Sequence, residues 1–276
     1  MSGKIQTTGI IKKNSPKEKY CSYCDKTGIV HERHFEKLSQ NPLSVCPKCV
    51  EVKCKCGGDE PYFIEENGEI KECSCRETRM KIDKIISIYG RTGIEKKFMW
   101  KFINDFEAGN KLSADAKNAA YDIISKFPDV NKGLFLWGNP GTGKTLLSSI
   151  ILTELILRHS AEGRFIKISR TFFSRLKATF VEGSETYGKS SIIESDLANA
   201  DILVIDDFGV QRDSQWEQET LYNLVDARYE AEKFTIYTTN NNPATYKELF
   251  GGRILSRIKE MCRIMELSGT DYRENK

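Results

Sequence analysis

An octapeptide, Gly138-Asn139-Pro140-Gly141-Thr142-Gly143-Lys144-Thr145, fits the pattern GxxxxGK[ST] and lies directly between the apolar run GLFLW (133–137) and the apolar stretch TLLSSIILTELIL. A buried strand, a glycine-rich turn and a helix, in that order, are the context this pattern requires. The glycines let the backbone close around phosphates so that its N–H groups donate to them, and the positive end of the following helix adds attraction. Lys144 is then expected to reach the β- and γ-phosphates and the Thr145 hydroxyl to bind Mg²⁺.

Four further apolar runs share the length and the Ile, Val and Phe content of the first: RFIKIS (164–169), DILVID (201–206), KFTIYTT (233–239) and CRIMEL (262–267). Helical stretches separate them, which predicts an α/β domain with a five-stranded, mainly parallel sheet. Ser113 reads as the N-cap of a helix ADAKNAAYDIISKF that Pro128 closes. The segment Arg76 to Tyr89 carries apolar residues at 82, 85, 86 and 89, a helical spacing ended by Gly90, and reads as a hinge between modules.

Ligands of such a sheet collect at the carboxyl ends of its strands. ILVIDD ends in Asp206, placed to hold Mg²⁺ through its water shell, and Asp207, placed to polarise an attacking water. The same pair could instead end a strand and cap a turn. After Thr238-Thr239, Asn240 either orients that water from the other side or serves the loop Asn240-Asn241-Asn242-Pro243. Arg253 and Arg257, four apart on one helical face of GGRILSRI, are either solvated or lent to a neighbour's γ-phosphate. An arginine in that role contributes factors of about 10³ to 10⁵ in rate.

Eight of the nine cysteines lie between residues 21 and 75. Cys21-x₂-Cys24 and Cys46-x₂-Cys49 have the spacing of a four-thiolate zinc site, and Cys54-x-Cys56 and Cys73-x-Cys75 flank a hairpin with Gly57-Gly58 and Asn67-Gly68 as turns. Two zinc ions per chain account for all eight thiolates. The four pairs can combine in three ways, and His31 or His34 could replace a cysteine ligand. Below about 80 residues a module seldom builds enough core of its own, so metal binding becomes its folding energy and its task is recognition. The first hundred residues hold nineteen Lys and Arg against fourteen Asp and Glu, a net of +5. Two Zn(Cys)₄ centres reduce this to about +1, too little to announce nucleic-acid binding by charge alone. No run is long enough to span a bilayer or to form a signal-peptide core, which makes the cytoplasm the expected address and excludes a membrane partner.

The order GNPGTGKT, ILVIDD, TTN and GGRILSRI, preceded by KKFMWKFINDFEAGN, resembles the DnaC/DnaI family of bacterial and phage replicative helicase loaders over roughly residues 91 to 276. The resemblance implies an AAA+ P-loop ATPase that binds ATP between the subunits of a ring or spiral, with Asn240 as first sensor and Arg257, beside Arg253, in the arginine-finger segment. It also implies single-stranded DNA and a hexameric replicative DNA helicase as partners, the helicase gripped by the N-terminal module. The expected division is a cysteine-rich domain over 1–80, a linker helix over 81–96 and an ATPase domain over 97–276. Two features depart from the wider AAA+ pattern. Position 207 is Asp where most members have Glu, so slow, assembly-dependent hydrolysis is expected. Only nine residues follow CRIMEL, too few for a helical lid, and Arg273 is the one late candidate for a second sensor.

Arg170, Arg175 and Lys177 interleave with Phe172, Phe173 and Phe180, either lining a single-strand channel or, for the aromatic rings with Leu176, forming a core stripe. The leading function is an ATP-dependent loader that places a hexameric helicase on single-stranded DNA during initiation of replication. The alternatives are an IstB-like transposition helper ATPase and an ATP-binding switch with little hydrolysis.

Overall fold

The computed structural model describes residues 21–24, 27–31, 42–168, 172–209, 214–245, 252–269 and 271–272. The chain divides into two compact units, Met1–Gly90 and Arg91–Lys276. A single helix, α1 (Arg76–Gly90), crosses the expected boundary at residue 80 without a break and belongs to the first unit.

Besides α1, the first unit holds two antiparallel ribbons: β1 (Ile29–His31) with β2 (Leu43–Val45), and β3 (Phe63–Glu66) with β4 (Glu69–Glu72). Asn67 and Gly68 join β3 to β4 with positive φ at both positions, the turn whose twist suits a two-residue hairpin. Two-stranded ribbons are marginal by themselves. Here they carry cysteines at their ends, and α1 adds a small apolar face of Ile82, Ile85, Ile88 and Tyr89.

In the second unit α2 (Lys111–Lys126) precedes β5 (Gly133–Trp137), followed by α3 (Lys144–His159), β6 (Gly163–Lys167), α4 (Phe173–Ala178) and α5 (Ser190–Asn199). Then come β7 (Ile202–Asp206), α6 (Gln215–Glu230), β8 (Phe234–Thr239), α7 (Arg253–Met261) and β9 (Cys262–Glu266). All four strand pairings are parallel, in the order β6-β7-β8-β5-β9. α2 starts earlier than its sequence suggests. Asn110, not Ser113, is the N-cap: its side chain accepts from the Ser113 N–H at 2.9 Å, and the Ser113 hydroxyl accepts from the Asn110 N–H at 3.1 Å. Ser113 thus occupies the third helical position of a reciprocal capping box.

One core cluster joins the sheet, through Phe135, Ile205 and Tyr237, to Phe173, Leu176, Leu221 and Ile254 on the surrounding helices. Arg228 is fully buried and donates to the carbonyls of Leu197, Ala198, Ala200 and Phe234 and to the Thr235 hydroxyl, stapling the end of α5 to β8. Burial lowers its pKa to about 10, and carbonyls at a helix C-terminus suit a cation there. The central strands β7, β8 and β5 are adjacent, so the segments after them emerge together at one edge of the sheet. Among the described residues no helix is long and apolar enough to cross a membrane.

Candidate nucleotide and metal sites

The loop Gly138–Thr145 leaves the end of β5 and turns into α3. Gly143 forms the N-cap with φ 91°, a left-handed conformation that a side chain rarely adopts. Lys144 is buried and donates to the carbonyls of Gly138 at 2.8 Å and Asn139 at 2.6 Å, while the Thr142 hydroxyl donates to the Asn139 carbonyl, so the loop is closed by its own polar groups. Asn139 and Pro140 stand exposed at its tip.

The Thr145 hydroxyl donates to Asp206 Oδ1 at 2.9 Å, joining the loop to the end of β7. The same oxygen accepts from the Thr238 hydroxyl on β8, which also accepts the Asp207 N–H at 3.2 Å. Burial pushes the Asp206 carboxyl above the ordinary range, against the pull of the Thr238 and Thr145 hydroxyls. Asp206 Oδ2 is buried and accepts no hydrogen bond. A carboxylate oxygen that accepts no hydrogen bond, with the Lys167 ammonium 3.6 Å away and a threonine hydroxyl beside the same carboxylate, fits a hydrated Mg²⁺. Asp207 sits at φ 56°, in the left-handed region that short polar residues visit most readily. Asn240 follows β8 and is exposed at the same sheet edge.

The segment after β9 lies along the loop. Leu267 N–H donates to the Trp137 carbonyl at 2.7 Å and Tyr272 N–H to the Gly141 carbonyl at 3.2 Å. The Asp271 carboxylate packs so closely on Gly141 that a Cβ there would come within 1.9 Å of it. The described residues after β9 form no helix, and Arg273 lies outside them.

The two arginines of α7 differ. Arg257 pairs with Asp226 and lies over the rings of Tyr222 and Tyr229 at 5.1 and 5.4 Å from their centroids, three residues on one face of α6. Arg253 is exposed and has no ion pair among the described residues. Neither contacts the phosphate loop or the acid pair in this chain. The basic-aromatic stripe also splits: Phe172, Phe173 and Leu176 are core, whereas Phe180 is 61% exposed with its ring edge towards Trp216. Lys177 pairs with Glu217 at 2.7 Å, Arg175 is exposed, and Arg170 lies outside the described residues.

In the first unit the thiols gather in sequence order, Cys21, Cys24, Cys46 and Cys49 in one group and Cys54, Cys56, Cys73 and Cys75 in the other. Within each group the sulfurs lie within 4.8 Å of one another, with contacts such as Cys24–Cys49 at 3.4 Å and Cys56–Cys75 at 3.5 Å. Four convergent thiols, half-buried or buried, fit a tetrahedral zinc ion. Among the described residues neither group contains a histidine: His31 lies in β1, and His34 is outside them. The N–H groups of Cys75 and Lys55 lower Cys73 to about 5, while burial raises Cys75 to about 12. Arg79 lies one helical turn beyond Cys75, and the thiols of Cys75 and Cys54 raise its pKa against the effect of burial. Its guanidinium lies 5.6 Å from the Tyr62 ring centroid.

Motif reading does not tie Thr238 or Lys167 to the acid pair or Arg79 to the cysteines; for Lys167 the sequence suggests instead the start of a single-stranded DNA segment running to Lys177. The first two are polar residues ending otherwise apolar strands, a signal that marks the functional edge of a parallel sheet.

Comparison with known proteins bears on both units. A family profile described as "IstB-like ATP binding protein" matches residues 76–276. The replicative helicase loader DnaC of Escherichia coli K12 is 29% identical over 225 residues, spanning 80% of this chain and 88% of the loader. A crystal structure of the DnaC helicase loader superposes with a TM-score of 0.56 at 27% identity, over 63% of this chain and 100% of that one. The crystal structure of DnaI, at 18% identity and a TM-score of 0.53 over 66% of this chain and 95% of its own, speaks for the fold alone.

Proposed function

The chain belongs to the IstB-like ATP binding protein family, and on that footing we propose that it is an ATP-dependent loader placing a hexameric replicative helicase on single-stranded DNA. The observation that carries the nucleotide half is the Thr145–Asp206 hydrogen bond, which joins the glycine loop and the β7 acid in a single site. The relatives' names carry the helicase half.

In this reading the loop N–H groups and Lys144 bind the β- and γ-phosphates, and Thr145 with Asp206 holds the Mg²⁺ shell. The ion, when bound, withdraws charge from the phosphate oxygens. Asp207 accepts a proton from the attacking water, and Asn240 orients that water from the neighbouring strand. Asp207 reaches one methylene less far than Glu and is held in a left-handed turn, so hydrolysis is slow. Arg257 acts on the ATP of an adjacent subunit in a ring or spiral, for which it must first leave Asp226 and the two tyrosines. Arg253 is the more accessible of the two and assists at the same interface. The exposed Phe180 and Arg175 are the residues best placed to touch single-stranded DNA.

Two zinc ions, one in each cysteine group, fold the N-terminal unit, which grips the helicase. The family description also favours a second reading, a transposition helper ATPase of the IstB type. Co-purification with a hexameric replicative helicase, with and without ATP, decides between them: nucleotide-dependent retention supports the loader, and no retention in either state refutes it.

A further inference from the structure

Lys167, the last residue of β6, carries its ammonium 3.2 Å from Asp207 Oδ2 and 3.6 Å from Asp206 Oδ2, with Glu95 Oε1 at 3.5 Å on a third side. The placement is built into the sheet, because β6 and β7 pair in parallel with Lys167 opposite Asp206. Asp206 is fully buried and its Oδ1 is already engaged by two hydroxyls, so the ammonium faces the side of the carboxylate that accepts no hydrogen bond. That is also the side on which a hydrated divalent cation would be held. Lys167 lies in neither the glycine loop nor the ILVIDD segment, and it is 24% exposed, at the mouth of the site.

We propose that Lys167 is a positioning residue that competes with Mg²⁺ for the Asp206–Asp207 pair and so sets the Mg²⁺ concentration at which nucleotide is held in the hydrolytic arrangement. The inference rests on the nucleotide site proposed above. Glu95, Asp206 and Asp207 converge on Lys167, and Glu95 is also paired with Lys97 at 3.2 Å, so once the Lys167 ammonium withdraws the aspartate pair carries a charge of −2 that one dication neutralises. With the lysine in place, a dication approaching Asp206 meets a like charge a few ångströms away. Withdrawing the ammonium from Asp206 admits the ion, and its remaining bond to Asp207 then fixes the orientation of that carboxylate.

The test is fluorescence of mant-ATP bound to the full-length protein, titrated with Mg²⁺ at low and high salt. Lys167→Met should lower the half-saturating Mg²⁺ concentration by about tenfold, the scale of one charge removed near a dication in a partly solvated site. The difference should shrink at high salt, because a pair at the mouth is screened. Lys167→Arg keeps the charge and should keep the wild-type midpoint. Glu95→Gln, which leaves the lysine to the aspartates alone, should raise the midpoint several-fold and serves if Lys167→Met does not fold. A midpoint unchanged or raised in Lys167→Met, or unchanged in Glu95→Gln, overturns the proposal. Wild-type protein that binds no mant-ATP at any Mg²⁺ concentration is a separate failure, that of the nucleotide site itself.

Discussion

Replacing Thr238 by valine tests how the acid pair is held without touching the phosphate loop. The two side chains have similar shape and both suit a strand, but valine offers no hydroxyl. In the protein that hydroxyl is 1% exposed, donates to Asp206 Oδ1 at 2.5 Å and accepts the Asp207 N–H at 3.2 Å. Losing a hydrogen bond to a charged group costs about 1.5–3 kcal/mol, and leaving the Asp207 N–H without an acceptor adds about 1 kcal/mol. A total of about 3 kcal/mol corresponds to a Tm lower by about 6–12 °C, at roughly 2–4 °C per kcal/mol for a domain of this size. The deficit should depend on pH. Burial already holds the folded Asp206 carboxyl above its unfolded value, and removing a donor raises it further. Between those two values the folded state binds more protons than the unfolded one, so stability falls as pH rises. Because the two proteins share one unfolded state, the valine deficit is smallest below the raised folded pKa of wild-type Asp206 and grows as pH rises through it towards the higher value in the variant. Thermal unfolding between pH 4 and pH 8 measures it, and Thr238→Ser should recover most of the loss. Binding of mant-ATP should weaken in Mg²⁺ yet stay unchanged in EDTA. A valine variant that melts within about 1 °C of wild type at pH 8, or whose deficit ignores pH, would refute the reasoning.

Lys144→Ala should lower mant-ATP affinity by two orders of magnitude or more, because the loop loses both its cation and the donor to its own carbonyls; wild-type affinity would remove the phosphate site. Arg257→Ala should lower Tm through the lost Asp226 pair and tyrosine contacts and also suppress hydrolysis that rises with protein concentration, whereas Arg253→Ala should affect only the second. Full assembly-dependent hydrolysis in both variants would place the finger elsewhere. Metal analysis should return two zinc ions per chain, and Arg79→Gln should speed chelator-driven release from one of them by about 10–100-fold, the usual scale for an outer-shell partner. Two release phases unchanged from wild type would show that Arg79 does not support its centre.

The parts of this molecule legible in its sequence are those written in short spacings. The glycine loop, the acid pair at the end of ILVIDD and the cysteine pairs each depend on neighbours within a few residues, and strands buried on both faces announce themselves as unbroken apolar runs. Which cysteine pairs share a centre could not be read that way, because it depends on how the two ribbons fold back, and only the assembled unit brings the sulfurs together in sequence order. Thr238 and Lys167 could not be tied to the acid pair for a similar reason. Their roles come from register across β6, β7 and β8, strands separated in sequence by helices of ten or more residues. Ser113 misled because serine is a good cap, yet Asn110 three residues earlier completes a reciprocal pair that a single preference does not disclose. Phe172, Phe173 and Phe180 shared one pattern in sequence, and only packing against the sheet separates the two core rings from the exposed one.

The contact between Gly141 and the residues around Asp271 makes the far end of the ATPase unit a gauge of its middle. A carboxylate resting on that loop would face the negative charge of any phosphate bound there, and the Tyr272 N–H bond to the Gly141 carbonyl ties the segment after β9 to the same loop. A fusion or dye attached beyond that tyrosine would consequently sit against the loop and would not be a silent label.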